Sequence, residues 1–181
     1  MRVRHTVGPP GWDVSYEDEL NARMAVVEEH IRCENRHDLA GVMRTFGAEA
    51  SYVDEPWADH RVGRAGVESY YTDLLRALPD LSISIERRHA TPDAVIVEVR
   101  IRGRHRGSWR GLPATGRAID LPLCGIYTFG ADGLLASEHI YYDRATVLRQ
   151  LGVFREPTTL AGRLGTFIAH PLTILGTLFT S

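Results

Sequence analysis

The stretch Gly111–Gly152, GLPATGRAIDLPLCGIYTFGADGLLASEHIYYDRATVLRQLG, decides the reading of this chain. Two long β-type runs, Ala118–Phe129 and Leu135–Tyr142, flank the turn residues Gly130-Ala131-Asp132-Gly133 and predict a hairpin. A closing helix is expected over Arg144–Leu151. Side chains alternate faces along a strand, so His139, Tyr141 and Asp143 fall on one face. An imidazole, a phenol and a carboxylate on one face make the best acid/base constellation in the chain.

Working outward, two more strands precede the hairpin. Leu81, Ile83 and Ile85 alternate with Ser82, Ser84 and Glu86, and Val95, Val97, Val99 and Ile101 alternate with polar or arginine positions. Further upstream, Leu20, Met24, Val27 and Ile31 recur at helical spacing and predict a helix over Tyr16–Asn35, with Ser15 as its N-cap and Asp18 three residues on. Asp38 is placed to cap a second, short helix with Leu39, Val42, Met43 and Phe46 on its apolar side. A strand over Ala50–Asp54 stops at Glu55-Pro56. His60–Gly66 reads as a short extended passage, and Val67–Leu78 as a third helix ended by Pro79. This order predicts an α+β fold, with helices on one face of a curved, mainly antiparallel sheet. The expected organisation is an N-terminal arm (1–14), one domain (15–154) and an apolar C-terminal extension (155–181).

Composition narrows the chemistry. The net charge of −2 gives no bulk-charge argument for nucleic acid or an anionic membrane. All 21 basic residues are arginine, so Schiff-base chemistry and a P-loop lysine are excluded. Acid/base work falls to Asp, Glu, His, Tyr or Cys. Cys33 and Cys124 form no CxxC or zinc-type spacing, so free thiols and no metal are expected, in keeping with a reducing cytoplasm. MRVRHTVGPPGWD at the N-terminus lacks the apolar core of a secretory signal.

Several of these features together resemble a known family. Gly111-Leu112-Pro113-Ala114-Thr115-Gly116-Arg117, the Asp132-Gly133 turn, Asp143 and Gln150-Leu151-Gly152 are similar to the SnoaL-like polyketide cyclases, within the nuclear transport factor 2 (NTF2)-like and ketosteroid isomerase-like superfamily. The resemblance spans roughly Tyr16–Phe154. It implies an NTF2-like cone, in which the bent sheet wraps around helices and leaves an apolar pocket. It also implies cofactor-independent aldol-type chemistry on a hydrophobic, carbonyl-containing small molecule; a homodimer through the outer sheet face is expected beside it. By this resemblance Asp143 matches the general acid/base at the end of the last strand, and His139 lies where relatives often carry a large pocket residue. The cyclases support that acid with polar groups on the neighbouring strand; here it offers Leu123, Gly125 and Tyr127 on one phase, and Cys124 and Ile126 on the other. Val53-Asp54-Glu55-Pro56 is similar to the carboxylate loop of ketosteroid isomerase, whose second acid would fall at Gly125.

The candidate catalytic residues are therefore Asp143, His139 and Asp54. Tyr141, Tyr52, Trp57, Tyr71, His105 and Trp109 are the candidate pocket residues for a flat apolar ligand. Each has a plainer reading. Asp143 is equally placed to cap the closing helix, His139 to be a satisfied core histidine, and the aromatics to be core. Two function classes stay open: an acid/base enzyme, and a non-catalytic small-molecule-binding or structural module.

Arg100, Arg102, Arg104 and Arg106 lie opposite the apolar face of their strand and read as a solvated face or a subunit contact, not a nucleic-acid surface. Leu160, Leu164, Phe167 and Ile168, then Leu172, Ile174, Leu175, Leu178 and Phe179, make the extension apolar, but Arg163, His170 and Pro171 interrupt it too often for a membrane span. It is expected to pack on its own domain or a partner subunit, ahead of acting as a pocket lid or touching a membrane surface.

Overall fold

The computed structural model describes residues 14–91 and 93–172. Helix α1 (Val14–Asn35) buries Val27 and Ile31, as its spacing requires. It already includes Ser15, so it begins before the expected cap. Asp38 caps α2 (Leu39–Thr45), its carboxylate accepting from Gly41 N at 2.8 Å. The chain then turns straight into β1 (Phe46–Asp54), four residues ahead of the predicted start. A single 3₁₀ turn, Glu55–Trp57, returns it as β2 (Asp59–Val62), and α3 (Gly63–Ala77) follows with Val67, Tyr70 and Tyr71 buried. Strands β3 (Ser82–Ala90), β4 (Ala94–Arg104), β5 (Ala118–Phe129) and β6 (Leu135–Tyr141) form the expected antiparallel meander. Two helices, α4 (Arg144–Gln150) and α5 (Leu160–Ala169), complete the described chain.

The six strands form one sheet in the order β2-β1-β6-β5-β4-β3. Among the described strands β1 and β6 are the one parallel pair, with Val53 opposite His139. This is the α+β architecture expected from the element order. Val95, Val97 and Val99 face the helices, with Tyr52, Leu123, Tyr127 and Ile140 from neighbouring strands. Arg100 and Arg102 face outward, where both reach Asp120 of β5.

Two expectations are corrected. The alternation on β6 carries a register shift: Phe129 pairs with Leu135, but Thr128 pairs with Ser137, so one extra residue sits in β6. Beyond it Glu138 and Ile140 face the interior, and His139 and Tyr141 face outward. The apolar residues of α5, expected to pack on the domain or a partner subunit, do not pack on the domain: Leu160, Leu164 and Ile168 are 84%, 61% and 68% exposed in the single chain. The expectation for Ile174–Phe179 lies outside the described residues.

The loop from β4 to β5 is tied down at both ends. Arg106 N and Gly107 N both donate to Ala77 O at the end of α3. A side chain on Gly107 would put its Cβ 2.3 Å from Arg76 O, so the approach needs glycine. At the loop's other end His105 N donates to Arg117 O, and Gly116 N to His105 O. Between them Trp109 and Leu112 exchange backbone hydrogen bonds around Arg110 (φ +52°) and Gly111 (φ +77°). Two positive φ values inside a reciprocally bonded pair are the pattern of a type I′ turn.

Candidate functional site

A narrow cavity of about 50 Å³ runs through the interior of the cone. Its wall is mostly aliphatic, from Leu74, Ile83, Val99, Ile101, Leu121 and neighbours, with the rings of Tyr52, Tyr70, Tyr127, Tyr142 and Trp109. Among the described residues its ionisable carboxyls are Glu34 and Glu138. A larger vestibule of about 570 Å³ lies outside it, between β2, α3 and the Ser108–Pro113 loop. Tyr70 and Trp109 line both spaces and so form the partition between them.

Beside the cavity, and partly in its wall, lies a buried polar cluster on α1, α2, α3, β5 and β6. His30 Nδ1 is 2.8 Å from Thr45 Oγ1, and His30 Nε2 is 2.8 Å from the Tyr71 hydroxyl. The Thr45 hydroxyl donates to Val42 O, so towards His30 it accepts. Tyr71 donates to Glu138 Oε2 at 2.5 Å, so its oxygen also accepts from the ring. Both ring nitrogens therefore donate, which is the imidazolium form. Burial works against that charge, but Glu138 and Glu34 outweigh it and the His30 pKa is raised. Glu138 accepts at both oxygens, its second partner being Tyr127 at 3.1 Å.

Glu34 is different. Its Oε2 lies 3.6 Å from His30 Nε2, and among the described residues no hydrogen bond holds its carboxyl. Burial, reinforced by Glu138 and opposed by His30, pushes it up to about 8. A cavity-lining carboxyl that holds its proton near neutrality, and is a strong base once it loses it, is suited to proton transfer.

A second cluster stands at the partition. Asp54 at the end of β1 is fully buried. Its Oδ2 accepts from Arg110 Nη2 at 2.6 Å, Tyr142 at 3.2 Å and Tyr70 at 3.3 Å. Arg110 also pairs with Asp59 of β2. The guanidinium lies 5.5–5.7 Å from the rings of Trp57, Tyr70 and Trp109. Burial raises the Asp54 pKa despite the opposing Arg110 charge and hydroxyl bonds.

The predicted residues divide accordingly. Asp143 is exposed and caps α4, accepting from Ala145 N at 2.9 Å and Thr146 N at 3.1 Å; the Thr146 hydroxyl and these amides hold its pKa down. His139 and Tyr141 are on the outer face, His139 Nδ1 lying 3.9 Å from Glu55 Oε1. The triplet is thus not assembled inside the cone, because the bulge in β6 turns its face outward. Asp54, Trp57, His105 and Trp109 are brought together at the partition, and Tyr52 lines the cavity. Tyr71 lies behind the wall as a hydrogen-bond partner of His30. The sequence reading missed Glu34, Glu138, His30 and Arg110. Glu34 and His30 sit one turn apart and next to Ile31 on the apolar side of α1, and Glu138 is two residues from Ile140. A charged residue in phase with core positions was the available signal. The Gly125 position, where a second acid would fall, is filled by the Tyr127 ring: a Cβ there would lie 2.9 Å from it.

Residues 24–151 match the family profile of the SnoaL-like polyketide cyclases. No protein of curated function matches the chain. Among solved structures, a protein assigned as a SnoaL-like polyketide cyclase from Jannaschia sp. CCS1 is 20% identical, with a TM-score of 0.67 over 80% of this chain and 100% of that one. AclR from Streptomyces galilaeus, described as a hydroxylase, is 23% identical, with a TM-score of 0.65 over 75% of this chain and 99% of that one. SalBIII, an epoxide hydrolase/cyclase-like enzyme of pyran ring formation in salinomycin, is 19% identical, with a TM-score of 0.59 over 68% and 92%. At these identities the structures establish a shared fold.

Proposed function

The chain belongs to the SnoaL-like polyketide cyclase family, and from that premise we propose that it is a cofactor-independent acid/base enzyme acting on a hydrophobic, carbonyl-bearing small molecule, with Glu34 as the proton-transfer group. The observation that carries this reading is the placement of Glu34: a buried carboxyl in the wall of a mostly apolar cavity, beside His30 and without a hydrogen bond among the described residues.

In a ring-closing aldol step the Glu34 carboxylate takes a proton from the carbon next to a carbonyl. The enolate carbon attacks a second carbonyl of the same molecule and forms the new C–C bond. The resulting alkoxide takes the proton back from Glu34, so the enzyme ends as it began. One residue serves as base and then acid, as its raised pKa suits it to do. His30, held cationic by Glu138, favours the Glu34 carboxylate at the moment it is needed. Tyr71 and Tyr127 fix Glu138 and so keep it from competing as the base.

Cyclisation of 2,6-heptanedione to 3-hydroxy-3-methylcyclohexanone, followed through the enone that this ketol gives on losing water, tests this. Turnover by the wild type should rise with pH towards about 8, as the Glu34 carboxylate forms. Glu34→Gln should lower it at least 100-fold, within the range removed with a general base. Full turnover by a folded Glu34→Gln would sink the assignment. Absence of turnover with tight binding of the diketone would favour the binding-module reading.

A further inference from the structure

Among the described residues, every arginine but two meets a carboxylate, a backbone carbonyl or an aromatic ring. The two are Arg117, just before β5, and Arg155, between α4 and α5, whose guanidinium groups have no such partner. Both line one cleft of about 360 Å³, bounded by the entrance to β5, the end of α4 and the start of α5. This cleft shares no residue with the inner cavity or the vestibule.

The backbone makes room for the first of them. Gly152 follows α4 with φ +79°, and a Cβ on it would lie 2.8 Å from Arg117 Cζ. The Arg117 guanidinium therefore lies against bare backbone that only glycine leaves open. A third guanidinium, that of Arg149, is in the same wall and holds Glu156, the one carboxylate of the cleft. Three guanidiniums less one carboxylate leave two positive charges facing one space without a counter-charge. The Thr159 hydroxyl accepts from Gly162 N at 3.0 Å, so its own O–H is left to donate. Phe154 adds an apolar wall.

Such a lining selects an anion, and charge and shape narrow its class. A carboxylate offers two oxygens and fills one guanidinium fork. Two free forks with two free charges match a dianion that carries three oxygens, which is a phosphoryl group. The cleft has room for more than the phosphoryl group, and the remainder is bounded by Phe154. We propose that this cleft binds an organic phosphate, with its phosphoryl oxygens on Arg117 and Arg155 and its organic group against Phe154. The site is separate from the acid/base reading of Glu34 and stands or falls without it.

Isothermal titration of the full chain at fixed ionic strength and about pH 8, where a phosphate monoester is a dianion, tests this with phenyl phosphate, inorganic phosphate and benzoate. Phenyl phosphate should bind most tightly, inorganic phosphate less so for want of the ring, and benzoate least. Arg117→Gln and Arg155→Gln should each weaken phenyl phosphate about 10-fold, the loss of one charge-assisted hydrogen-bonding group. Arg155 has no partner to lose, so Arg155→Gln serves if Arg117→Gln disturbs the end of α4. Arg87→Gln removes the same charge from β3, outside the cleft, and should leave binding unchanged. No binding of phenyl phosphate at about 10 mM would overturn the site. So would benzoate binding as tightly as phenyl phosphate, a folded Arg155→Gln that binds like the wild type, or Arg87→Gln weakening binding as much as Arg155→Gln, which would assign the effect to diffuse surface charge.

Discussion

Glu34 follows His30 by one turn of α1, and its Oε2 lies 3.6 Å from His30 Nε2 with both side chains buried. The two groups respond to pH in the same direction. The folded Glu34 pKa of about 8 is above its ordinary 4.5, and His30 is also raised above its ordinary 6.5. The native state therefore holds protons that the unfolded chain has lost. Stability is fully present below about pH 4.5 on the Glu34 account and falls as pH rises to about 8, by up to about 1.4 kcal/mol per unit.

The expected outcome is a melting temperature that declines between pH 5 and pH 8. Glu34→Gln, a permanent mimic of the protonated acid, should flatten that decline and melt a few degrees above the wild type at pH 8. Parallel melting curves for the two proteins across this range would show that Glu34 ionises freely.

Asp143 gives a contrasting case. As a cap, Asp143→Ala should cost about 1 kcal/mol, or a melting shift of roughly 2–4 °C, and Asp143→Asn much less. Neither should change diketone turnover in a folded protein. A loss of turnover in Asp143→Asn at unchanged stability would return this residue to the chemistry.

Arg110→Met would leave the Asp54 carboxylate buried without its cation. A loss of about 3–5 kcal/mol is expected. Asp54 has a raised folded pKa, and losing Arg110 raises it further, so the destabilisation should grow as pH rises above the ordinary carboxylate value of 3.8. Adding Asp54→Asn should restore part of the loss. Chemical denaturation at pH 5 and pH 8 for both single variants and the double variant measures the coupling. Additive effects would mean that the pair is energetically independent.

The strands and helices were legible because their patterns are local. Val95, Val97 and Val99 alternate with polar residues and are buried. Ala118–Phe129 matches its strand at both ends, and Asp38 caps the helix it precedes. The early starts of β1 and α3 were missed because the residues involved, Phe46 to Glu49 and Gly63 to Gly66, carry no clean period and are ordered by their neighbours.

The sequence by itself determined the element order, the α+β cone and the family, since these follow from periodicity, turn residues and a set of short motifs along the chain. Only the tertiary structure decided which face of β6 looks inward. Alternation defines two faces but does not label them, and a single extra residue exchanges them. That exchange turned His139 and Tyr141 outward and brought Glu138 inward against His30. It also left Arg110, distant in sequence from Asp54, to be found by the fold of one tight turn.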